Sequence, residues 1–220
     1  MISNESMRLI QNAIHVYNKR VAYTYLVGYR VNKNKPIQTM EITISEKNFW
    51  HLAGCELAGE TSYDCLEKSK IYSRCLNNED IKDLLDYTHS AADVGKKCKV
   101  LVNVFDFINH AKEIKICKAE DCPEAAMFRI GAGNIRGLIG YGNNKNIYYP
   151  KTAQDKSIFH INPNANDKIV FVLSKETGFQ VYEKIEYEVS KGIVASLISS
   201  ISDDVEISPQ ILKSAEETLK

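Results

Sequence analysis

"VAYTYLVGYRVNKNKPIQTMEITI", residues 21–44, decides the fold. Two runs rich in β-branched and aromatic residues, 21–31 and 37–44, flank "NKNKP", whose Asn and Pro supply turn chemistry. The pattern predicts an antiparallel hairpin. Ahead of it, Met7, Ile10, Ile14 and Tyr17 recur at steps of three and four behind the cap candidates Ser3 and Asn4. That spacing predicts an amphipathic helix over residues 4–19 that lies against a sheet.

Behind the hairpin, Ser45 opens a segment with few turn breakers apart from Gly54, Gly59 and "NNE" at 77–79. Leu57, Leu66, Ile71, Ile81, Leu84 and Leu85 predict several short helices, and "VLVNVFDFINHA" (100–111) another. From Ile114 the texture changes: "EIKIC", "AAMFRIG", "RGLIGYG", "NIYYP", "SIFHI", "KIVFVLS" and "FQVYEKIEYEV" are short strand-like runs divided by Gly, Asn, Pro and charge. They predict a meander. The expected fold is α+β: N-terminal helix and hairpin, helical insert, then a twisted antiparallel sheet. One domain over residues 1–190 is expected, with 191–220, a weakly helical "GIVASLISSI" and an acidic "DDVE", as a C-terminal accessory tail.

The 28 basic and 28 acidic residues cancel, so whole-molecule charge draws the protein neither to nucleic acid nor to an anionic membrane. A basic cleft would have to be local. No apolar run approaches the ~18 residues of a membrane helix, and the N-terminus lacks the basic start and apolar stretch of a signal peptide. The six cysteines lack C-x-x-C pairing and read as reduced, small apolar side chains, so a cytoplasmic location is expected. Cys117, Asp121 and Cys122, with His110 and Glu120 nearby, are too irregularly spaced for a metal site; neither metal nor cofactor is expected. The G-x-G in "IGAGNIRG" and "GYGNN" precedes no helical pattern and reads as turns.

Three stretches carry residues suited to chemistry. In "EKNFWHLAG" (46–54), His51 sits at the margin of a buried stripe made by Phe49, Leu52 and Trp50. It is either a structural imidazole bonded to a carbonyl or a partly desolvated group that moves protons near neutral pH. In "NIYYPKT" (146–152), Tyr148, Tyr149, Lys151 and Thr152 surround a proline: either an edge strand with ordinary surface residues, or a cation, a hydroxyl and two rings suited to a phosphate or a stacked base. Arg129 and Arg136, in the sheet region, are solvated or clamp a phosphate.

The phrase "NFWHLAG" just after a predicted hairpin, then "KSKIYSRCL" (68–76), "IGYGNNKNIYYPKT" (139–152) and a late strand ending near "VYEKIEYE" (181–188), resembles a phage-associated nuclease family. It is the fourth class of the group related to barnase, EndoU, colicin and RelE ribonucleases, and the likeness spans roughly residues 5–190. The resemblance implies an N-terminal helix on a twisted antiparallel sheet and a metal-independent, toxin-like endoribonuclease of a prophage or mobile element. RNA is then the expected substrate, with an antitoxin or immunity protein as partner. His51, Lys151 and Thr152 match its motif positions; Lys70, Tyr72 and Arg74 are carried over more loosely, as substrate-side groups.

On that expectation His51 is base or acid, Lys151 stabilises the phosphate with Lys70, Arg74 or Arg129, and Thr152 or Tyr149 donates to it, with Tyr148 on the substrate. Tyr148, Tyr149 and His160 are candidates for the second proton transfer. Two other readings stay open: an ADP-ribosyltransferase using Glu186 or Glu188, and a binding module without catalysis.

Overall fold

The computed structural model describes residues 1–58, 65–121, 128–145, 147–197, 201 and 205–218. Cys122 and Gly59 of the sequence reading lie outside them. Helix α1 (Asn4–Asn18) begins at Ser3, whose hydroxyl accepts the Ser6 amide at 3.1 Å. It buries Met7, Ile10, Ala13, Ile14 and Tyr17, the stripe its spacing predicts. Strands β1 (Tyr23–Arg30) and β2 (Gln38–Thr43) form the expected hairpin, paired from Thr24↔Thr43 to Tyr29↔Gln38.

Among its described residues the insert holds three α-helices, α2 (Phe49–Ala53), α3 (Cys65–Leu76) and α4 (Ala91–Val100). Between them, two short strands absent from the sequence reading, β3 (Cys55–Leu57) and β4 (Leu85–Tyr87), pair antiparallel as a separate sheet. The helix expected over 100–111 is the end of α4 and one π-type segment, Leu101–Phe105, followed by turns. There the buried Arg20–Asp106 ion pair and the Asn109 amide, 2.7 Å from the Asp106 carboxylate, hold the chain in turns.

The remaining strands are β5 (Lys115–Lys118), β6 (Ile130–Asn134), β7 (Gly137–Asn144), β8 (Ile147–Gln154), β9 (Asp167–Glu176) and β10 (Lys184–Glu188). "SIFHI" is not a strand: Ser157 caps Phe159 and starts the short helix α5 (Ile158–Ile161). The sheet is also more than the antiparallel meander expected. Its order is β1-β2-β8-β7-β6-β5-β9-β10, and β9 pairs with β1 as well, so seven strands close into a barrel with β10 alongside β9. Closure requires one parallel step, β2 against β8, through Glu41↔Ile147 and Ile42↔Tyr148.

One large core joins α1–α4 to the inward side chains of the barrel strands, among them Tyr25, Val27, Ile42, Ile139, Tyr141 and Ala153. Two smaller clusters cover the other face. Cys117, Phe128 and Leu138 pack under α5, and Leu26, Phe171 and Leu173 pack under α6 (Ile193–Leu197) and α7 (Pro209–Thr218). Cys55, Cys75 and Cys98 are buried free thiols, and Cys117 is buried as well. No helix among the described residues is long and apolar enough to cross a membrane.

Candidate functional site

Helix α2 is barely more than one turn, and its surroundings fix which way it points. Phe49, Trp50, Leu52 and Ala53 are buried and His51 alone faces solvent. The Trp50 indole donates to the Lys68 carbonyl of α3 at 3.2 Å, and the Phe49 ring meets those of Trp50, Tyr17 and Tyr72 at 5.2–5.6 Å. The helix stops at Gly54, left-handed at φ 84°, whose amide donates to the His51 carbonyl at 3.2 Å. The same carbonyl faces the Lys97 ammonium of α4 at 3.5 Å, and that ammonium lies 3.5 Å from Asp93.

Strand β8 carries the second part. Its pairing with β7 runs Gly142↔Tyr149, Tyr141↔Pro150, then Gly140↔Thr152, so Lys151 is an extra residue in a bulge. The bulge decides which face each side chain takes. Tyr149 and Thr152, three residues apart, share the outer face: a Cβ on Gly142 would strike the Tyr149 ring, and one on Gly140 the Thr152 methyl, each at 2.7 Å. Tyr148 and Ala153 turn to the helix side, and exposed Lys151, the extra residue, is near enough to His51 of α2 to act on it electrostatically.

The His51 ring is where these elements converge. Partial burial lowers its pKa below the usual 6.5, and Lys97, His89, Lys151 and Lys68 push it the same way. The clustering supplies the local positive charge that the balanced composition hides. A cavity of about 430 Å³ opens where the start of α4 meets β8, lined by His89, Lys96, Lys97, Thr152 and Lys156 and by the carboxylates of Asp93 and Asp155; His89 and Lys97 are what it shares with the surroundings of His51. His89 directly precedes Ser90, whose hydroxyl caps the α4 amide of Asp93 at 3.1 Å.

His89, Lys68, Lys96 and Lys97 were missed from sequence. The signal available was "HSAADVGKK" (89–97), a Ser-x-x-Asp capping pattern with His at its entrance and two lysines along the helix.

The other expected residues disperse. Tyr149 lines a separate cavity of about 480 Å³ with Glu41 and Lys175, and Tyr148 and Arg129 share one of about 440 Å³ with Tyr29 and Lys118. Tyr72 is 1% exposed, its hydroxyl donating to Asn18 at 3.2 Å, so its ring packs the core and offers no face to a substrate. Arg74 pairs with Glu79 at 2.7 Å; Lys70 is exposed on α3, and His160 on α5. Of the two glutamates named for ADP-ribosyl transfer, Glu186 accepts the Ser174 hydroxyl at 2.8 Å and faces Lys184 at 3.0 Å. Glu188 caps α6 through the Gly192 and Val194 amides.

The α+β barrel thus gathers His51, His89 and several lysines where α2, the start of α4 and β8 meet, a concentration of positive charge of the kind that draws anions. The chain belongs to the family described as phage-Barnase-EndoU-ColicinE5/D-RelE like nuclease4, which it matches over residues 9–191. Nucleic acid is the substrate class that membership supplies. No curated protein and no solved structure matches the chain.

Proposed function

We propose that the protein is a metal-independent endoribonuclease that cleaves RNA by internal attack of a ribose 2′-hydroxyl. The observation that carries this reading is the cluster of Lys97, His89, Lys151 and Lys68 charges acting on His51, in a family of nucleases. With its pKa lowered, His51 is neutral at pH 7 and able to act as base. It takes the 2′-hydroxyl proton as the 2′ oxygen bonds to phosphorus. Lys151 and Lys97 stabilise the charge that builds on the phosphorane oxygens, and Thr152 donates a hydrogen bond to them. The bond to the 5′ oxygen breaks, and a protonated group delivers a proton to that oxygen. His89, which lines the cavity with Thr152 and acts electrostatically on His51, is better located for this than Tyr148, Tyr149 or His160. The products are a 2′,3′-cyclic phosphate and a 5′-hydroxyl end. The same family membership supports a phage-borne, toxin-like setting, with an antitoxin or immunity protein as counterpart.

The test is cleavage of single-stranded RNA in EDTA by wild type, His51→Ala and Lys151→Ala at equal folded fraction. Each proton-transfer role is typically worth ~10²–10⁴-fold in rate, so His51→Ala should lose at least the lower figure. Equal cleavage by all three proteins removes the assignment.

A further inference from the structure

We propose that the cleft of about 440 Å³ lined by Tyr29, Lys118, Glu120, Arg129, Asn143 and Tyr148 binds a nucleotide of the RNA strand next to the one being cleaved. The inference rests on the ribonuclease reading of the His51 site and extends it to a second position along the substrate.

Size and chemistry both point to a nucleotide. The volume falls within the ~300–1,000 Å³ of small-molecule sites, and the lining combines cations with aromatic rings. Arg129 is exposed and has no ion-pair partner among the described residues, while its backbone is pinned: its amide donates to the Tyr141 carbonyl at 2.8 Å and its carbonyl accepts the Ala119 amide at 3.0 Å. A guanidinium on a fixed backbone suits a phosphate oxygen pair. Lys118 adds a second cation, 3.8 Å from the exposed carboxylate of Glu120. That carboxylate opposes a phosphate at its own end of the cleft but accepts well from the exocyclic amine of a base. Tyr148 is half-buried and supplies a ring for stacking. Burial first, then Tyr148 and Asp167, push the Tyr29 phenol up to about 12, so it remains a neutral donor.

Position links the cleft to the catalytic cluster. Tyr148 and Lys151 lie on one strand, three residues apart, and at about 3.3 Å per residue their Cα atoms are roughly 10 Å apart. Tyr148 packs against the helix-side core and Lys151 acts electrostatically on His51 of α2, so a single strand held by Lys151 at its reacting phosphate can continue along β8 toward Tyr148. Single-stranded RNA is read in this way, with its bases unstacked and laid on aromatic rings.

The test titrates the full-length protein with 5′-AMP, 5′-CMP and inorganic phosphate, followed by calorimetry and by NMR. Wild type should bind a mononucleotide more tightly than phosphate. Tyr148→Leu should weaken that binding about 5- to 100-fold, Tyr148→Phe should retain it, and Arg129→Gln should weaken it about tenfold. His51→Ala should leave it unchanged while abolishing cleavage. Nucleotide affinity no better than that of phosphate, or indifference to both Tyr148→Leu and Arg129→Gln in folded protein, overturns the subsite. A nucleotide bound with this dependence by a protein that cleaves no RNA keeps the subsite and removes the ribonuclease reading instead.

Discussion

At the scale of one residue, His51 shows how a neutral protein makes a basic spot. Its own helix turns Phe49, Trp50 and Leu52 inward, so solvent is the only direction left to the imidazole. The groups that meet it there come from α3, α4, β8 and the residue before the α4 cap. Burial and four neighbouring cationic or titratable groups all favour the neutral ring, which sets the sign of two effects. Folded protein binds fewer protons at His51 than the unfolded chain, so this site lowers stability as pH falls through 6.5 toward the folded pKa and has no effect above that window. An anion in the cluster reverses the electrostatics and raises the pKa. Removing one cation should do so more weakly: in Lys97→Met the His51 pKa should move up toward 6.5, and the acidic limb of the pH–rate profile should move with it. NMR titration of the imidazole proton measures the first and cleavage kinetics the second. A His51 resonance that titrates identically in both proteins contradicts the placement of Lys97.

At the scale of elements, the site depends on how closely α2 and α4 approach, and Gly54 sets that distance. A Cβ there would lie 3.2 Å from both the Asp93 carboxylate and the Lys97 side chain, on a backbone at φ 84° that L-residues rarely adopt. Gly54→Ala should therefore cost about 1–2 kcal/mol from the left-handed conformation alone. It should also shift the His51 imidazole resonances; an unchanged urea midpoint would show that α2 ends differently. Local elements such as this were largely legible. The α1 stripe and the 21–44 hairpin rest on neighbours in sequence, and both stand where their periodicity puts them. What periodicity does not carry is partnership between distant segments. The β2–β8 step joins Glu41 to Ile147, far apart in the chain, and the bulge at Lys151, which puts Thr152 on the same face as Tyr149, is visible only once β7 is alongside. His51 and Lys151 stood out because their phrases are unusual, whereas His89, Lys96 and Lys97 read as the ordinary start and polar face of a helix. "SIFHI" misled for a related reason: its apolar residues suit a strand or a buried turn, and the Ser157 cap selected the turn.

At the scale of the whole molecule, closing the barrel ties the first strand to the ninth. β1 lies between β2 and β9, so the hairpin that forms locally is completed only when Asp167–Glu176 arrives. The outer face of that β1–β9 seam must then be covered, and among the described residues α6, Ile201 and α7 pack there. Val194, Ile201 and Ile211 are at most 5% exposed and pack with Leu26, Phe171, Leu173 and Tyr182. The Tyr182 amide and carbonyl bond to Glu206 and Ser208 at 2.8 and 2.9 Å. Each fully buried aliphatic side chain contributes about 1.5–3 kcal/mol, so the three together are worth on the order of 5 kcal/mol, comparable with the whole stability of a small domain. A chain ending at Ser190 should lose that much in urea unfolding and bind a hydrophobic dye through the uncovered seam. His51, Lys97, Lys151 and Thr152 lie on α2, α4 and β8, elements that contribute no residue to this cluster, so cleavage per folded molecule should be unchanged. Were the truncated protein equally stable and dye-negative, the barrel would have to close without its outer cover, and residues 191–220 would be a tail in fact.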